Sequence, residues 1–494
     1  MTSAFRRTIN VSTVLKRGQN PDGLRKRLGA KDMIGFGVGI IIGTGIFTLA
    51  GVEAKQHAGP AVTLSFLIGA VVACLAAVCY AELASSVPTA GSAYTYAFAT
   101  LGEGFAWIIG WDLLLEFSLG AAVVSRGWSG YLADLFGLPP ELFGEEAVVN
   151  IGAVLILAVL TVVAVVGIKM SALFTNTLVV VKLTVCVLVI GIGAFFVTSA
   201  NWSPFIPESR TAESPDVLKQ PIIEAGLGIE PTMYGAIGLL TAAAVVFFAY
   251  TGFEALANLG EEVRRPQRDM KIGLLGALSI CALLYIGVSL VLTGMVPYAE
   301  IDSGAPLAKA FDAVGLSWVG GIISLGAVTG LTSVILVQLV TIGRIGFSMG
   351  RDGLLPRQLG TVHPKWGTPH RVTIGAAVLV GALAALVPID ELADMVSIGA
   401  LSAMIIVAVA VPVLRRQRPE LERPFKVPFS PVVPVLAAVS CLYLMLNLDV
   451  ITWLRFGAWL VIGMVIYFTY SRRHSRLAPG NGGDVAEEEN VSAG

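Results

Sequence analysis

The chain has 494 residues, of which 55% are hydrophobic and only 14% are charged, and its mean hydropathy is +0.79. Soluble domains carry about 25% charged residues, so this composition excludes a soluble protein and indicates a helical protein that crosses a membrane many times. The formal net charge of −1 is uninformative by itself, and no nucleic-acid partner is expected.

Apolar runs of about 20 residues recur along the whole chain and predict an all-α polytopic fold with twelve spans. The first 31 residues are polar and basic and show no cleavable signal. The Gly- and Glu-rich residues at the other end predict a disordered tail. The predicted spans are 32–54, 60–86, 104–132, 148–168, 173–198, 235–259, 270–296, 316–347, 370–388, 391–414, 430–448 and 452–470.

The distribution of positive charge predicts the orientation. If the N-terminus is cytoplasmic, 26 of the 33 Lys and Arg residues fall in the segments on the cytoplasmic side. Both termini are therefore expected in the cytoplasm. The predicted organisation is a basic N-terminus (1–31), five helices (32–198), an extracellular loop (199–234), five helices (235–414), two helices (415–472) and a cytoplasmic tail (473–494).

Glycines interrupt the first span at Gly35–Phe47, where five of thirteen residues are glycine. In a membrane, broken backbone is tolerated where it is buried in protein or lines a polar cavity. We interpret the segment Ile41–Gly45, which includes Gly43 and Thr44, as an unwound mid-membrane site for a small zwitterion. The alternative is close packing of helices through small residues.

A second interruption appears five spans later, at Val245–Glu254. Two broken helices in corresponding positions of two five-helix groups are typical of transporters built from inverted repeats. A channel is disfavoured because the sequence shows no pore loop and no ring of charge.

The ordered motifs resemble the amino acid–polyamine–organocation (APC) superfamily, and within it the cationic amino acid transporter family and its bacterial relatives. The resemblance implies a leucine-transporter-like fold, with helices 1 and 6 broken. One departure is Glu254, where relatives commonly carry Asp. The motifs are GIIIGTGIF at 39–47, YAEL at 80–83, PTAGSAYTY at 88–96, FAYTGF at 248–253, GEEVRRPQ at 260–267, MGRDGLLP at 349–356 and TWLRF at 452–456.

The resemblance also implies the substrate contacts. Thr44 and Gly45 would bind the substrate carboxylate through backbone N–H groups, which suits the positive end of a half-helix. Backbone carbonyls would accept the three hydrogens of the α-ammonium. Phe248 and Tyr250 are candidates to close over the substrate, with packing in the core as the alternative. The carbonyl candidates are Ile41, Phe248, Ala249 and Thr251.

Three of the charged residues inside predicted spans are candidates for coupling to protons. Lys182 sits close to the midplane, where a charge costs about 2.5–3.5 kcal/mol and indicates function. Relatives place a lysine at the matching point beside the first break, which implies proton coupling. Glu116 and Glu254 are candidates to pair with Lys182 or to relay protons, with a structural ion pair as the alternative. Asp112, nearer the end of its span, is expected to be solvated.

The sequence therefore predicts a secondary active symporter that imports L-amino acids with protons, in the plasma membrane of a prokaryote. No acid accompanies the small residues around Thr332 in the eighth span, so we expect neutral, small to medium substrates. The alternatives are an exchanger of amino acids or polyamines, a cationic amino acid transporter on the same fold, and a transporter-like amino acid sensor. No cofactor, metal site or enzymatic activity is expected, and protons and membrane lipids are the other expected partners.

Overall fold

The computed structural model describes residues 5, 7, 28–86, 92–144, 147–167, 172–211, 216–259 and 263–478. Most of the basic N-terminus, parts of two motifs (88–91 and 260–262) and the predicted disordered tail from residue 479 lie outside the described residues. Within the described part, almost every apolar run is a helix, because a helix satisfies its own backbone hydrogen bonds and needs no water.

The helices confirm the predicted all-α polytopic class. Their ends agree with the predicted spans to within five residues. They are helix 1a (Ala30–Ile41), helix 1b (45–58), helix 2 (Val62–Ser86), helix 3 (Glu103–Phe136), helix 4 (Ile151–Val166), helix 5 (Ala172–Gly193), helix 6a (Gly235–Val246), helix 6b (Phe253–Leu259), helix 7 (Pro266–Met295), helix 8 (Ser317–Arg351), helix 9 (His370–Leu386), helix 10 (Ile389–Gln417), helix 11 (Val432–Met445) and helix 12 (Val450–Ile466).

Eight stretches of the described chain are long and apolar enough to cross a membrane, and three shorter apolar helices accompany them. The first of the eight, Gly45–Ser86, contains both helix 1b and helix 2. The chain is a multi-pass membrane protein.

Local signals set several helix ends. The side chain of Asn150 accepts a hydrogen bond from the backbone N–H of Ala153 and caps helix 4. Gly167 follows the same helix with φ +70°, a conformation that glycine adopts without strain. Pro266 opens helix 7, where its missing N–H is not needed.

The loop between helices 5 and 6 carries the strand pair of the described chain. Arg210–Thr211 and Thr232–Met233 run antiparallel, with Arg210 opposite Met233. A short helix, Ile222–Leu227, lies between them in sequence. The backbone of Ile222 and Ile223 bonds to the turn between helices 11 and 12, so this loop is joined to the end of the bundle.

Helix 3 forms the centre of the bundle and packs along helices 8 and 10. Helix 7 packs along helices 1a and 2. The two broken helices lie between these groups, and their buried side chains belong to one continuous apolar core.

Candidate functional site

Helix 1 breaks at the predicted position. Helix 1a ends at Ile41, and Ile42 adopts an extended conformation with ψ 103°. Ile42 and Gly43 form the bend, Thr44 is already helical, and helix 1b continues with a wide helical turn from Gly45. The chain around the break is buried, so its unpaired backbone groups must find partners within the protein.

Helix 6 breaks in a different way. A tight turn, Phe247–Tyr250, follows helix 6a, and Thr251 is then extended. Gly252 has φ +96°, which residues with a side chain rarely adopt. The backbone N–H and the hydroxyl of Thr251 both donate to the Phe248 carbonyl, at 3.0 and 2.8 Å.

The two breaks touch each other. A Cβ atom at Gly45 would lie 2.5 Å from the Cα of Ala249, a distance that backbone atoms cannot accommodate. Glycine is therefore required at position 45 for the breaks to meet. The nearest atoms to a Cβ at Gly43 would be 3.8 Å away, on Val334 of helix 8, so Gly43 has free space beside it.

Close packing, the alternative interpretation, applies to glycines in the regular part of helix 1a. A Cβ at Gly37 would lie 2.6 Å from the Cβ of Ala277 in helix 7. A Cβ at Gly39 would lie 2.6 Å from Val179 in helix 5. The glycines of this stretch thus serve two purposes. Gly37 and Gly39 allow helices to pack closely before the break, and Gly45 allows the two backbones to approach each other at the break.

Tyr285 of helix 7 joins the two breaks, and sequence reasoning missed it. Its hydroxyl lies 2.7 Å from the Ile41 carbonyl and 3.1 Å from the Ala249 carbonyl. Its ring packs against Tyr250 and Phe66, with centroids 5.3 and 5.7 Å away. A tyrosine in an apolar run is usually a core residue, and its only sequence signal was a hydroxyl at membrane depth.

The two aromatic candidates are both buried. The Tyr250 hydroxyl donates to the Phe66 carbonyl at 2.8 Å, so it ties helix 6 to helix 2. Phe248 is 5% exposed. These positions place both rings at the second break, and closure of either ring over a substrate stays a prediction.

Two threonine hydroxyls face helix 3 beside the first break. The hydroxyls of Thr44 and Thr48 are buried, and neither has a hydrogen-bond partner among the described residues. A Cβ at Gly127 of helix 3 would lie 3.1 Å from both hydroxyl oxygens. Thr48 was missed in the sequence, although its spacing of four residues from Thr44 was a usable signal. Unpaired buried hydroxyls are available to a polar ligand.

Thr332 is engaged by helix 3 and its own helix. Its hydroxyl donates to the Val328 carbonyl at 2.7 Å and lies 3.0 Å from Trp128 Nε1, which donates to it. The residue of helix 8 that approaches Gly43 is Val334. Trp128 is therefore an additional residue near Thr332, in the region where the side chain of a bound amino acid is expected.

Lys182 is fully buried in helix 5. Its Nζ donates to the Gly39 carbonyl of helix 1a at 2.6 Å. A Cβ at Gly330 of helix 8 would lie 2.8 Å from Lys182 Cγ, so the side chain packs closely against that helix. Among the described residues no carboxylate forms an ion pair with Lys182; its partner is the backbone just before the first break.

Glu116 and Glu254 are both buried and form a hydrogen bond with each other. Glu254 Oε1 also accepts the Gly252 N–H at 2.7 Å. The structure thus brings the two glutamates together and leaves Lys182 apart from them. Asp112, one turn before Glu116, is buried and accepts a hydrogen bond from Ser402 of helix 10. The expectation that Asp112 is solvated is wrong, because helix 10 covers this face of helix 3.

The described residues contain no group of three His, Cys, Asp or Glu side chains arranged to hold a metal ion. The arrangement at the breaks consists of backbone carbonyls, a half-helix N-terminus and small hydroxyl groups. Such groups bind a small charged or zwitterionic molecule by hydrogen bonds and dipoles.

Comparison with known proteins identifies relatives along nearly the whole chain. The chain is 42% identical to the branched-chain amino acid permease BcaP of Bacillus subtilis, over 96% of this chain and 99% of that protein. It is 40% identical to the methylthioribose transporter of the same organism, over 97% and 100%. It is 38% identical to the vacuolar cationic amino acid transporter 4 of Arabidopsis thaliana, over 85% and 68%.

The family model described as amino acid permease matches residues 28–469. This range includes both breaks and every candidate residue described above. The relatives carry the names of transporters and permeases. The chain belongs to the amino acid permease family of the APC superfamily.

Proposed function

We propose that this protein is a proton-coupled symporter that imports neutral, small to medium L-amino acids by alternating access. The observation that carries the proposal is the contact between the two breaks, with the Tyr285 hydroxyl placed between the carbonyls of Ile41 and Ala249. Helices 1 and 6 would occupy corresponding positions in two inverted repeats, 32–198 and 235–414.

The substrate carboxylate would bind at the start of helix 1b. The backbone N–H groups near Thr44 and Gly45 lie at the positive end of this half-helix, which favours an anion. The unpaired hydroxyls of Thr44 and Thr48 supply two further donors. Gly43 leaves the free space that a ligand atom needs beside the backbone.

The substrate ammonium would bind the carbonyls that protein donors now occupy. Tyr285 holds those of Ile41 and Ala249, and Thr251 holds that of Phe248. These three carbonyls come from both breaks, so an ammonium at this point would join helix 1 to helix 6. Such a bridge makes substrate binding and helix movement dependent on each other.

The arrangement of charge supports a preference for neutral side chains. Glu116 and Glu254 are bonded to each other, and a cationic side chain would have to separate them. Burying an unpaired cation costs several kcal/mol. The named branched-chain permease matches over its full length, whereas the cationic transporter matches over 68% of its own.

Proton coupling would involve Lys182 and the glutamate pair. A charged ammonium donates a stronger hydrogen bond than a neutral amine. Loss of a proton from Lys182 would therefore loosen helix 5 from the Gly39 carbonyl of helix 1a. The hydrogen bond between Glu116 and Glu254 requires a shared proton, so this pair is a second candidate for proton transfer.

The charge distribution and the full-length bacterial relatives support a prokaryotic plasma membrane with both termini in the cytoplasm. An exchanger is the closest alternative function. Counterflow that proceeds equally with and without a pH gradient, together with no net accumulation, would identify an exchanger. A sensor would bind the amino acid without any flux.

Proteoliposomes test the proposal directly. A pH gradient with the acidic side outside should drive accumulation of labelled leucine or alanine. Lys182→Met should reduce this uptake at least tenfold. Lys365→Met, at an exposed loop position, is the matched control and should behave as the parent protein. Gradient-dependent accumulation that persists in Lys182→Met would exclude Lys182 as the coupling residue.

A thermal-shift screen identifies the substrate class. The twenty amino acids and methylthioribose are tested on the purified protein, the latter because a full-length relative carries that name. Neutral amino acids should raise the melting temperature more than arginine or lysine. A shift for methylthioribose alone would overturn the assignment to amino acids.

A further inference from the structure

A second group of ionisable residues, one of them fully buried and four partly buried, lies at the far end of helix 1b, which the charge distribution places on the outer side. The residues come from three helices and their ends, and they act electrostatically on one another. We name this group the outer acidic cluster. It consists of Glu53, His57, Asp390, Asp394 and Asp449.

Helix 1b contributes a buried acid and a partly exposed imidazole. His57 Nδ1 lies 2.8 Å from Glu53 Oε2, one turn earlier. The His57 side chain is 30% exposed, whereas that of Glu53 is fully buried. The second oxygen of Glu53, Oε1, is buried without a hydrogen-bond partner among the described residues. The pair thus connects an unpaired buried oxygen to the surface.

Helices 10 and 12 contribute the remaining carboxyl groups. Asp394 Oδ1 is also buried without a partner among the described residues, and Oδ2 accepts a long bond from Thr452 at 3.4 Å. Asp390 lies one turn before Asp394, and Asp449 directly precedes helix 12. Two oxygens on different helices therefore lack partners in the same cluster.

The cationic side chains near the outer acidic cluster form ion pairs with Glu391, which is not a member of the cluster. Arg455 and Lys219 contact Glu391 at 2.7 and 3.4 Å. Lys219 also acts on Asp449 from a distance. The cluster consequently has four carboxyl groups against one imidazole. If all of them were ionised, their mutual repulsion would be only partly screened, since solvent shields partly buried charges less than exposed ones.

Asp449 lies outside the membrane helices and shows the effect of this environment. Burial raises its pKa from an ordinary 3.8 to about 6, and Glu53 and Asp390 act in the same direction, while His57 and Lys219 oppose them. A carboxyl group in this range gains or loses a proton under physiological external conditions.

We propose that the outer acidic cluster is a proton-binding site for the outer face of the protein. When protonated, it holds helix 1b against helices 10 and 12. When it loses protons, repulsion between its carboxylates drives helix 1b away and opens the outer side. The proposal rests on the proposed transport function only in requiring that helix 1b moves as the outer side opens. It does not depend on Lys182 or on the glutamate pair.

Accessibility of a cysteine placed at Thr48 tests this proposal without any substrate. Thr48 is buried between helix 1b and Gly127 of helix 3, so a membrane-impermeant thiol reagent reaches Thr48→Cys only when helix 1b moves. The reaction rate in intact cells is divided by that of Ser209→Cys, an exposed loop position, to correct for thiol ionisation. The normalised rate should rise at least fivefold between external pH 5.5 and 8.

Combination with Glu53→Gln should reduce this rise to less than twofold, because the neutral amide removes one of the charges whose repulsion moves helix 1b. Asp394→Asn should act in the same direction and provides a second variant if Glu53→Gln does not fold. Glu141→Gln, which removes an exposed carboxylate on the same predicted side, should leave the rise unchanged. A flat rate in the parent, or an undiminished rise in both cluster variants, would overturn the proposal.

Two further measurements separate the possible outcomes. Counterflow at equal pH on both sides has no proton gradient, so a pH dependence that Glu53→Gln removes there supports the cluster even if gradient-driven uptake fails. Sodium-dependent modification that Glu53→Gln abolishes would make the cluster a cation site and contradict the proton assignment.

The pH profile of the melting temperature gives an independent readout. The unfolded chain releases the Asp449 proton near pH 3.8, whereas the folded protein keeps it to about pH 6. Stability should therefore decline as pH rises from about 4 to 6. Asp449→Asn should remove a part of this decline, and an unchanged profile would contradict the burial of a titrating carboxyl group there.

Discussion

The two breaks differ in how their unpaired backbone groups find hydrogen-bond partners. At the first break, side chains from other helices bind backbone carbonyls. Lys182 donates to the carbonyl of Gly39, Tyr285 to that of Ile41 and Tyr131 to that of Phe47. At the second break, Thr251 and Glu254 bind backbone groups within three residues of themselves. The first break is held by helices 3, 5 and 7. The second break also contacts helices 3 and 7, through Glu116 and Tyr285, but it adds two hydrogen bonds within its own segment.

This difference indicates which break responds to the rest of the protein. A movement of helix 3, 5 or 7 changes the partners of the first break directly. The second break keeps the hydrogen bonds that Thr251 and Glu254 make to its own backbone through such a movement. We therefore expect helix 1 to change shape during transport and helix 6 to move more nearly as a rigid unit.

The largest effect is expected where the two breaks touch. Gly45→Ala places a methyl group 2.5 Å from the Cα of Ala249, so the breaks must separate, and binding of the amino acid should weaken at least 100-fold. Gly35→Ala in helix 1a is the matched control, because a Cβ atom at this position would have no neighbour within 4 Å. It should change binding by less than about threefold. Equal effects of the two substitutions in a binding assay would contradict the contact between the breaks.

A smaller effect is expected at the hydroxyl that joins the breaks. Tyr285→Phe leaves buried carbonyls without their donor, which costs about 1–3 kcal/mol, so the empty protein should melt at a lower temperature. A bound ammonium would replace the lost donor, and the substrate should therefore raise the melting temperature more than it does in the parent.

Tyr250→Phe is the control for this experiment. It removes a comparable buried bond, to the Phe66 carbonyl, away from the carbonyls that Tyr285 binds. The empty protein should lose similar stability, and the shift caused by substrate should stay as in the parent. A substrate shift that is unchanged in Tyr285→Phe would separate this hydroxyl from the ammonium site.

The smallest effects are expected from two threonine substitutions that compare the breaks. Thr44→Val removes a hydroxyl without a described partner, so stability should be unchanged while binding weakens about tenfold. Thr251→Val removes one of two donors to Phe248, and the backbone N–H remains, so binding should change less than about threefold. Titration calorimetry distinguishes them, and a reversed order would show that the second break is the more dependent on side chains.

The sequence predicted the breaks well because their signal is local. Closely spaced glycines within an apolar run, such as Gly43 and Gly45, weaken the helix wherever it packs, although Gly37 and Gly39 of the same run lie in regular helix and serve packing. Lys182 was found for the same reason, since a lysine at membrane depth stands out against its apolar neighbours. These features depend on residue type and distance along the chain alone.

The pairing of side chains between helices was not accessible in this way. Whether Glu116 meets Glu254 or Lys182 depends on the rotation of helices 3, 5 and 6 about their axes, which no short motif specifies. The burial of Asp112 depends on the position of helix 10. Tyr285 has no local signature, because its role arises only where helix 7 passes both breaks.

The hydroxyl of Tyr285 carries one hydrogen, yet it faces two carbonyl oxygens. At any moment this hydroxyl can give a full hydrogen bond to only one of the two carbonyls, so the other carbonyl has a weaker bond from this donor. An ammonium carries three hydrogens and can donate to both carbonyls at once. Small primary amines without a carboxylate should therefore be inhibitors that occupy half of the site, and they offer a chemical starting point for blocking the transporter.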